Sequence, residues 1–223
     1  NYQIQTETPR TLTQINCPGP RVSVRDVARV ARILTRLRAS VSCVVFSGSL
    51  PPGAPSRAYQ PLLRPLQHRQ ILTVLDTSGS PLRQGLSGRP WLIKPNRHEA
   101  EELLGGRLRR IGDVAHAAKA LLRRGPSVVI VSLGAEGAVL AATAHPQVLW
   151  AKPPRVAVDS AVGAGDSLIA GFLVGWLRTR SLQEALRLGV ACGAATAMTP
   201  GTELCHAAEV KRLVRRVVIR PLA

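Results

Sequence analysis

Acidic residues are scarce: 13 Asp and Glu stand against 30 Lys and Arg in 223 residues, a formal net charge of +17. Aromatic residues are scarce too, at 3%, which argues against a single-stranded nucleic-acid platform, where bases stack on aromatic side chains. Cysteine occurs four times, at Cys17, Cys43, Cys192 and Cys205, with no C-x-x-C pair. Neither a zinc site nor a disulfide framework is indicated, and a cytoplasmic location is the default expectation. Cys43, in a strand-like run, and Cys192, in a helix-like run, read as small hydrophobes. The most apolar window, residues 162–177, is too short to span a bilayer and contains Asp166, so no membrane partner is expected. The five histidines show no paired metal-ligand spacing, and there is no repeat, low-complexity tract or linker.

What remains describes a globular chain. Apolar residues make up 45% of it, with a mean hydropathy of +0.09, and its length suffices for one domain with a substantial core. Of the 30 basic residues 26 are Arg, spread along helical stretches such as Arg25, Arg29, Arg32 and Arg36. This distribution reads as solvated helix faces, so a nucleic-acid partner is not expected. A basic surface would nonetheless attract anionic sugar phosphates and nucleotides.

Apolar runs alternate with helical patterns, the signature of a parallel sheet covered by helices. The opening "NYQIQTETPRTLTQIN" reads as two alternating strands joined at Thr8-Pro9. Ser23 with Asp26 three residues on opens a helix with a capping-box pattern. Strands are expected at "VSCVVF", "ILTVLD", "WLIK" and "SVVIVSLG", then a meander of "AVLAAT", "QVLWAKP" and "RVAV". Helices are expected over 56–67, in "GDVAHAAKALLRR", and over 165–178 and 182–198. A basic amphipathic helix from about Ala207 is expected to end the chain. In open parallel sheets ligands gather outside the carboxyl ends of the strands. Here those ends carry "SGSLPPG", "DTSG", "KPNRHE", "SLGAEG" and "SAVGAGDS".

The last of these is the most informative. Gly163 and Gly165 let the backbone turn tightly into a helix whose first N–H groups form an anion hole. Asp166, in the first turn, is favoured as a carboxylate by the helix dipole. There it is placed to accept a proton from an attacking hydroxyl. Read alone, Asp166 is equally a helix-start residue, and Asn96 with Glu99 is equally a helix cap.

In order along the chain, "TQINCPGPRVS", "SGSLPPG", "LDTSG", "KPNRHEAEELLG", "VSLGAEGAVL", "SAVGAGDSLIAGF" and "GTELC" resemble the PfkB/ribokinase family of carbohydrate kinases. The resemblance is to its sugar-phosphate branch, 1-phosphofructokinase and tagatose-6-phosphate kinase, and covers essentially the whole sequence. It implies a ribokinase-like α/β fold over residues 1–223, a mostly parallel sheet flanked by helices on both faces, with residues 1–16 a remnant of the lid strands. It further implies an ATP-dependent kinase using Mg²⁺ and a sugar phosphate, homodimeric at full length. Asp166 matches the catalytic base, and Gly163, Ala164 and Gly165 the anion hole. Lys94, Asn96, Ser132, Gly134 and Gly137 match nucleotide-binding positions, and Glu99 the acid that organises Mg²⁺. Ser49 and Asn1 match substrate-binding positions.

Two departures follow. Family members commonly have Ser-Thr where this chain has Ser160-Ala161. The family's opening segment, with its sugar-gripping Asp and Gly-Gly-Asn, is not in the sequence. The expectation is therefore an N-terminally truncated chain that binds ATP weakly and turns over no sugar phosphate. Other sugar or nucleoside kinases of the family, and a non-catalytic nucleic-acid-binding derivative, stand as alternatives.

Overall fold

The computed structural model describes residues 2–7, 10–15 and 17–222, with side chains from Ile15 onward. Strands β1 (Tyr2–Glu7) and β2 (Arg10–Ile15) pair antiparallel, from Tyr2 opposite Ile15 to Glu7 opposite Arg10. Helices and strands then alternate: α1 (Val24–Leu34), β3 (Cys43–Ser47), α2 (Tyr59–Gln67), β4 (Leu72–Asp76), α3 (Gly79–Gly85), β5 (Leu92–Ile93), α4 (Arg97–Leu104), α5 (Ile111–Leu122) and β6 (Val128–Ser132). Strands β7 (Ala138–Ala142) and β8 (His145–Lys152) follow, then α6 (Ala164–Thr179), α7 (Leu182–Thr196), α8 (Ala207–Val214) and β9 (Val218–Leu222).

Strands β3 to β9 form a seven-stranded sheet in which spatial order repeats chain order. The ladders from β3 to β6 are parallel, and β7, β8 and β9 add antiparallel. Side chains alternate between two cores. Leu75, Ile93, Val129 and Val131 face the side covered by α1 to α5, whereas Val74, Leu92, Val128 and Ile130 face α6, α7 and α8. This is the α/β architecture expected, with helices on both faces.

Local chemistry explains the helix ends. Asp26 donates its N–H to the Ser23 hydroxyl at 3.3 Å, and its carboxylate accepts the Ser23 N–H at 2.9 Å. The predicted capping box is present, and α1 buries Val27 and Leu34. Helix α2 begins at Tyr59, later than expected, and carries Pro65 in its last turns. Two further expectations are corrected. The segment 155–158 is an irregular loop with Arg155 and Val158 exposed, because its alternation finds no partner strand among the described residues. The chain does not end on a helix: α8 stops at Val214 and β9 pairs with β8. Pro221, which cannot donate to a ladder, is tolerated because β9 is the sheet's edge among the described residues.

Helix α6 is pinned by α7. A Cβ added to Gly175 would lie 2.7 Å from Ala185 Cα, and one added to Gly189 would lie 2.7 Å from the Leu168 carbonyl oxygen. Only glycine permits this approach, and Phe172 is fully buried beside it. The same packing half-buries Cys192. Burial, with Cys205 adjacent, pushes its thiol up to about 12, and burial pushes Cys43 up to about 11. The thiolate is the reactive form. Iodoacetamide at pH 8 is therefore expected to label exposed Cys17 first and to spare Cys43 and Cys192 in the folded chain. Peptide mass spectrometry reads the order, and equal labelling of Cys192 and Cys17 would contradict this packing.

Candidate functional site

Four neighbouring parallel strands end along one edge, at Ser47, Asp76, Ile93 and Ser132. Ser47 lies opposite Asp76 in the β3–β4 register. Beyond β5 the chain continues into Lys94 and Pro95. The Pro95 carbonyl accepts the Ser132 N–H at 3.0 Å, and Asn96 bridges to Ser132. Backbone pairing thus brings together residues that lie far apart in sequence.

The amino end of α6 meets this edge. Gly163, at φ +75°, is its N-cap and supplies no side-chain cap. The first-turn N–H groups, which have no intrahelical acceptor, carry the helix's positive end. The turn before it is anchored from behind. The Ser160 hydroxyl donates to the Gly201 carbonyl at 2.6 Å and accepts the Val162 N–H at 3.3 Å. Ser160 is buried, so its hydroxyl is committed to structure. Thr196 donates to the Ser167 hydroxyl at 2.7 Å and accepts the Cys205 N–H at 3.1 Å, tying α7 to the start of α6.

Asp166 sits in the first turn of α6, exposed, and accepts a hydrogen bond from the Ser47 hydroxyl at 3.1 Å. Lys94 is 8% exposed, and its ammonium pairs with Asp76 at 3.3 Å. A Cβ on Gly165 would lie 3.1 Å from Lys94 Nζ, so the ammonium rests against the helix. Burial pushes the Asp76 carboxyl above the usual carboxylate range. Lys94 opposes that shift, and the negative charges of Asp166 and Glu99 add to it.

A cavity of about 680 Å³ opens beside these groups. Lys94, Asn96, Ser132 and Arg155 supply its polar lining, and Val156, Val158, Leu168 and Val190 an apolar wall; among the described residues no carboxylate lines it. Of the predicted site residues, Lys94, Asn96, Ser132, Gly134, Gly137, Ala164 and Gly165 all line it. Gly163 caps the adjoining helix. Asp166, Glu99 and Ser49 do not line the cavity. Ser49 is exposed on the loop after β3, and Asn1 lies outside the described residues. Glu99 accepts the Asn96 N–H at 2.8 Å while Asn96 accepts the Glu99 N–H at 2.9 Å, so both form the capping box of α4. His98 faces solvent beside Glu102. Among the described residues no three His, Cys, Asp or Glu side chains stand together to hold a metal ion alone. No helix there is long and apolar enough to cross a membrane.

Sequence reasoning assigned no role to Ser47, Asp76 or Arg155. Asp76 had a signal: it ends an apolar run immediately before "TSG", at a strand's carboxyl end.

Residues 13–209 match the family described as pfkB family carbohydrate kinase. The 1-phosphofructokinase of Bacillus subtilis is 35% identical over 193 residues, 86% of this chain and 63% of that protein. The ATP-dependent 6-phosphofructokinase isozyme 2 of Mycobacterium tuberculosis is 40% identical over 196 residues, 87% of this chain and 57% of that protein. The chain thus spans about six tenths of these two curated relatives. The crystal structure of phosphofructokinase-2 from Escherichia coli in complex with potassium superimposes with a TM-score of 0.87 at 29% identity. That match covers 96% of this chain and 69% of that one.

Proposed function

Since the chain belongs to the pfkB family of carbohydrate kinases, we propose that it carries the nucleotide site and catalytic base of an ATP-dependent sugar-phosphate kinase. In this reading the acceptor is fructose 1-phosphate or tagatose 6-phosphate, phosphorylated to the 1,6-bisphosphate. The observation that carries the reading is the uncapped amino end of α6. It faces a cavity lined by two cations and, among the described residues, no carboxylate, with Asp166 directly following cavity-lining Gly165.

The nucleotide's base and ribose lie against the apolar wall, and its phosphates run toward Lys94 and the N–H groups of residues 163–165. Asp166 accepts the proton of the attacking hydroxyl, oriented by the Ser47 hydrogen bond. Removing that proton as the oxygen attacks is the general-base contribution. Holding donor and acceptor in line contributes through proximity. Ser49 and Asn1 belong to the acceptor side, and residues 1–16 to the lid. Magnesium would be held chiefly by the nucleotide's phosphates and water, with Glu99, outside the cavity lining, organising its water shell; bound, it would neutralise phosphate charge. A homodimer and a cytoplasmic location belong to the same proposal.

The test is ADP release by the natural full-length gene product with fructose 1-phosphate, tagatose 6-phosphate and fructose 6-phosphate. Turnover of ~1–100 s⁻¹ is expected with one of the first two. Turnover with none, or a preference for fructose 6-phosphate, would overturn the substrate assignment. Titration with ATP and with duplex DNA over a salt series separates the nucleic-acid alternative, since phosphate-backbone binding falls steeply with salt.

Glu99→Gln keeps an oxygen for the Asn96 N–H, so α4 should remain capped while the charge is lost. The Mg²⁺ concentration for half-maximal activity is expected to rise about tenfold, with Tm nearly unchanged. An unaltered Mg²⁺ dependence would leave Glu99 a cap alone.

A further inference from the structure

Lys94 occupies an electrostatically awkward position. Its ammonium is almost fully buried and presses against the second residue of α6. The amino end of a helix carries the equivalent of about half a positive charge, so a cation there is repelled. A buried ammonium also loses its hydration and needs a counter-charge close by. Left to itself, Lys94 would swing its ammonium out toward water. Among the described residues Asp76 is the one carboxylate in ion-pair range of Lys94 Nζ, at 3.3 Å.

Asp76 is itself firmly placed. It ends β4, its carbonyl accepts the Gly48 N–H at 2.9 Å, and Ser47, which orients Asp166, lies across from it in the sheet. Its side chain is 17% exposed, and it does not line the cavity. It is thus set to hold the lysine without presenting a carboxylate to the phosphates.

Resting on the nucleotide reading above, we propose that Asp76 is a positioning residue that holds the Lys94 ammonium at the amino end of α6, assembling two repelling positive groups into one phosphate site. The two groups are brought together before any ligand arrives, and the repulsion between them is relieved when an anion enters.

The proposal reverses a simple expectation. A carboxylate near a phosphate site should weaken anion binding, and removing it should tighten binding. If Asp76 acts by holding Lys94, removing its charge weakens nucleotide binding instead. Asp76→Asn keeps the side-chain size and is expected to raise the Kd for ADP and ATP, measured by calorimetry on this chain, about tenfold. In a Lys94→Met background the same substitution is expected to leave Kd unchanged or lower it, because no ammonium remains to be held. A purely structural role would weaken binding in both backgrounds. Where Asp76→Asn does not fold by circular dichroism, Asp76→Glu replaces it in the same cycle, with a smaller weakening that again vanishes beside Lys94→Met. Wild-type binding with an Asp76→Asn Kd at or below the wild-type value overturns the proposal alone, as does equal weakening in both backgrounds. A wild-type chain that binds neither nucleotide overturns the nucleotide reading and the proposal with it.

Discussion

Asp166→Asn, made in the full-length gene product, is expected to lower kcat by ~10²–10⁴-fold, the contribution of a positioned general base, while ATP affinity stays within about twofold. The geometry separates the two quantities. Asp166 does not line the cavity assigned to the nucleotide, so its loss leaves ground-state binding largely alone. The asparagine keeps an oxygen to accept the Ser47 hydroxyl proton, and keeps its place in the first turn of α6. What it loses is the capacity to take a proton, which matters only in the reaction step. The helix loses a favourable dipole interaction of ~0.3–1 kcal/mol, a small change in Tm. Steady-state kinetics with calorimetric ATP binding checks both halves. A variant that keeps more than about a tenth of wild-type kcat would show that the proton goes elsewhere.

The second large effect concerns stability and comes with its own control. Gly134 and Gly137 both lie in the loop between β6 and β7, both have positive φ, and both line the cavity. They have positive φ in different surroundings. A Cβ on Gly134, at φ +58°, meets nothing within 4 Å. One on Gly137, at φ +91°, would lie 1.9 Å from the Ala151 carbonyl oxygen and 2.8 Å from Pro153 Cδ. Gly134→Ala should therefore cost only the left-handed backbone term of about 1–2 kcal/mol. Gly137→Ala adds a steric conflict with backbone that cannot rotate away, and ~3–5 kcal/mol in total is expected from strain plus overpacking. For a chain of this size that corresponds to a Tm lowered by roughly 6–20 °C. It would also push Pro153 out of the cavity wall. Thermal melts of the two variants decide the matter: equal losses would show that the Ala151 contact does not govern this turn.

The cavity proposed for the nucleotide is legible in the sequence as a cluster because its residues stand in short glycine-rich or polar loops just after apolar runs. Lys94, Asn96 and Ser132 need only the rule that parallel strands end together, and the structure brings all three to one cavity. Asp76 is not legible as a partner for Lys94, since nothing in "LTVLD" states which charge will face it across the sheet. Ser47 and Ser49 show a finer failure. They flank Gly48, whose φ of +90° turns the chain. The serine still in the strand reaches Asp166, and the one beyond the turn goes to solvent. Segment 155–158 alternates like a strand, yet it pairs with no strand among the described residues and becomes cavity wall. Strand β9 is hidden for the opposite reason: its Arg and Pro interrupt the apolar pattern, and only pairing with β8 reveals it.

The coincidence of spatial and chain order in the seven-stranded sheet bears on how the protein is made. A ribosome delivers residues at ~5–20 per second, and each strand from β4 to β8 can dock on the edge left by its predecessor as it emerges. One face matures early, because α1 to α5 are synthesised among the strands they cover. The other face stays bare: Val74, Leu92, Val128, Ile130 and Leu140 await α6 and α7, which are translated only after β8. For that interval the nascent chain presents a wide apolar sheet surface and an unpaired β8 edge to its surroundings. It is then most exposed to aggregation and most in need of a chaperone. Emergence of α6 and α7 covers most of that face and places Asp166 beside Ser47, while the β8 edge waits for β9. Covering the second face and bringing Asp166 to the Ser47 hydroxyl thus belong to one step of synthesis.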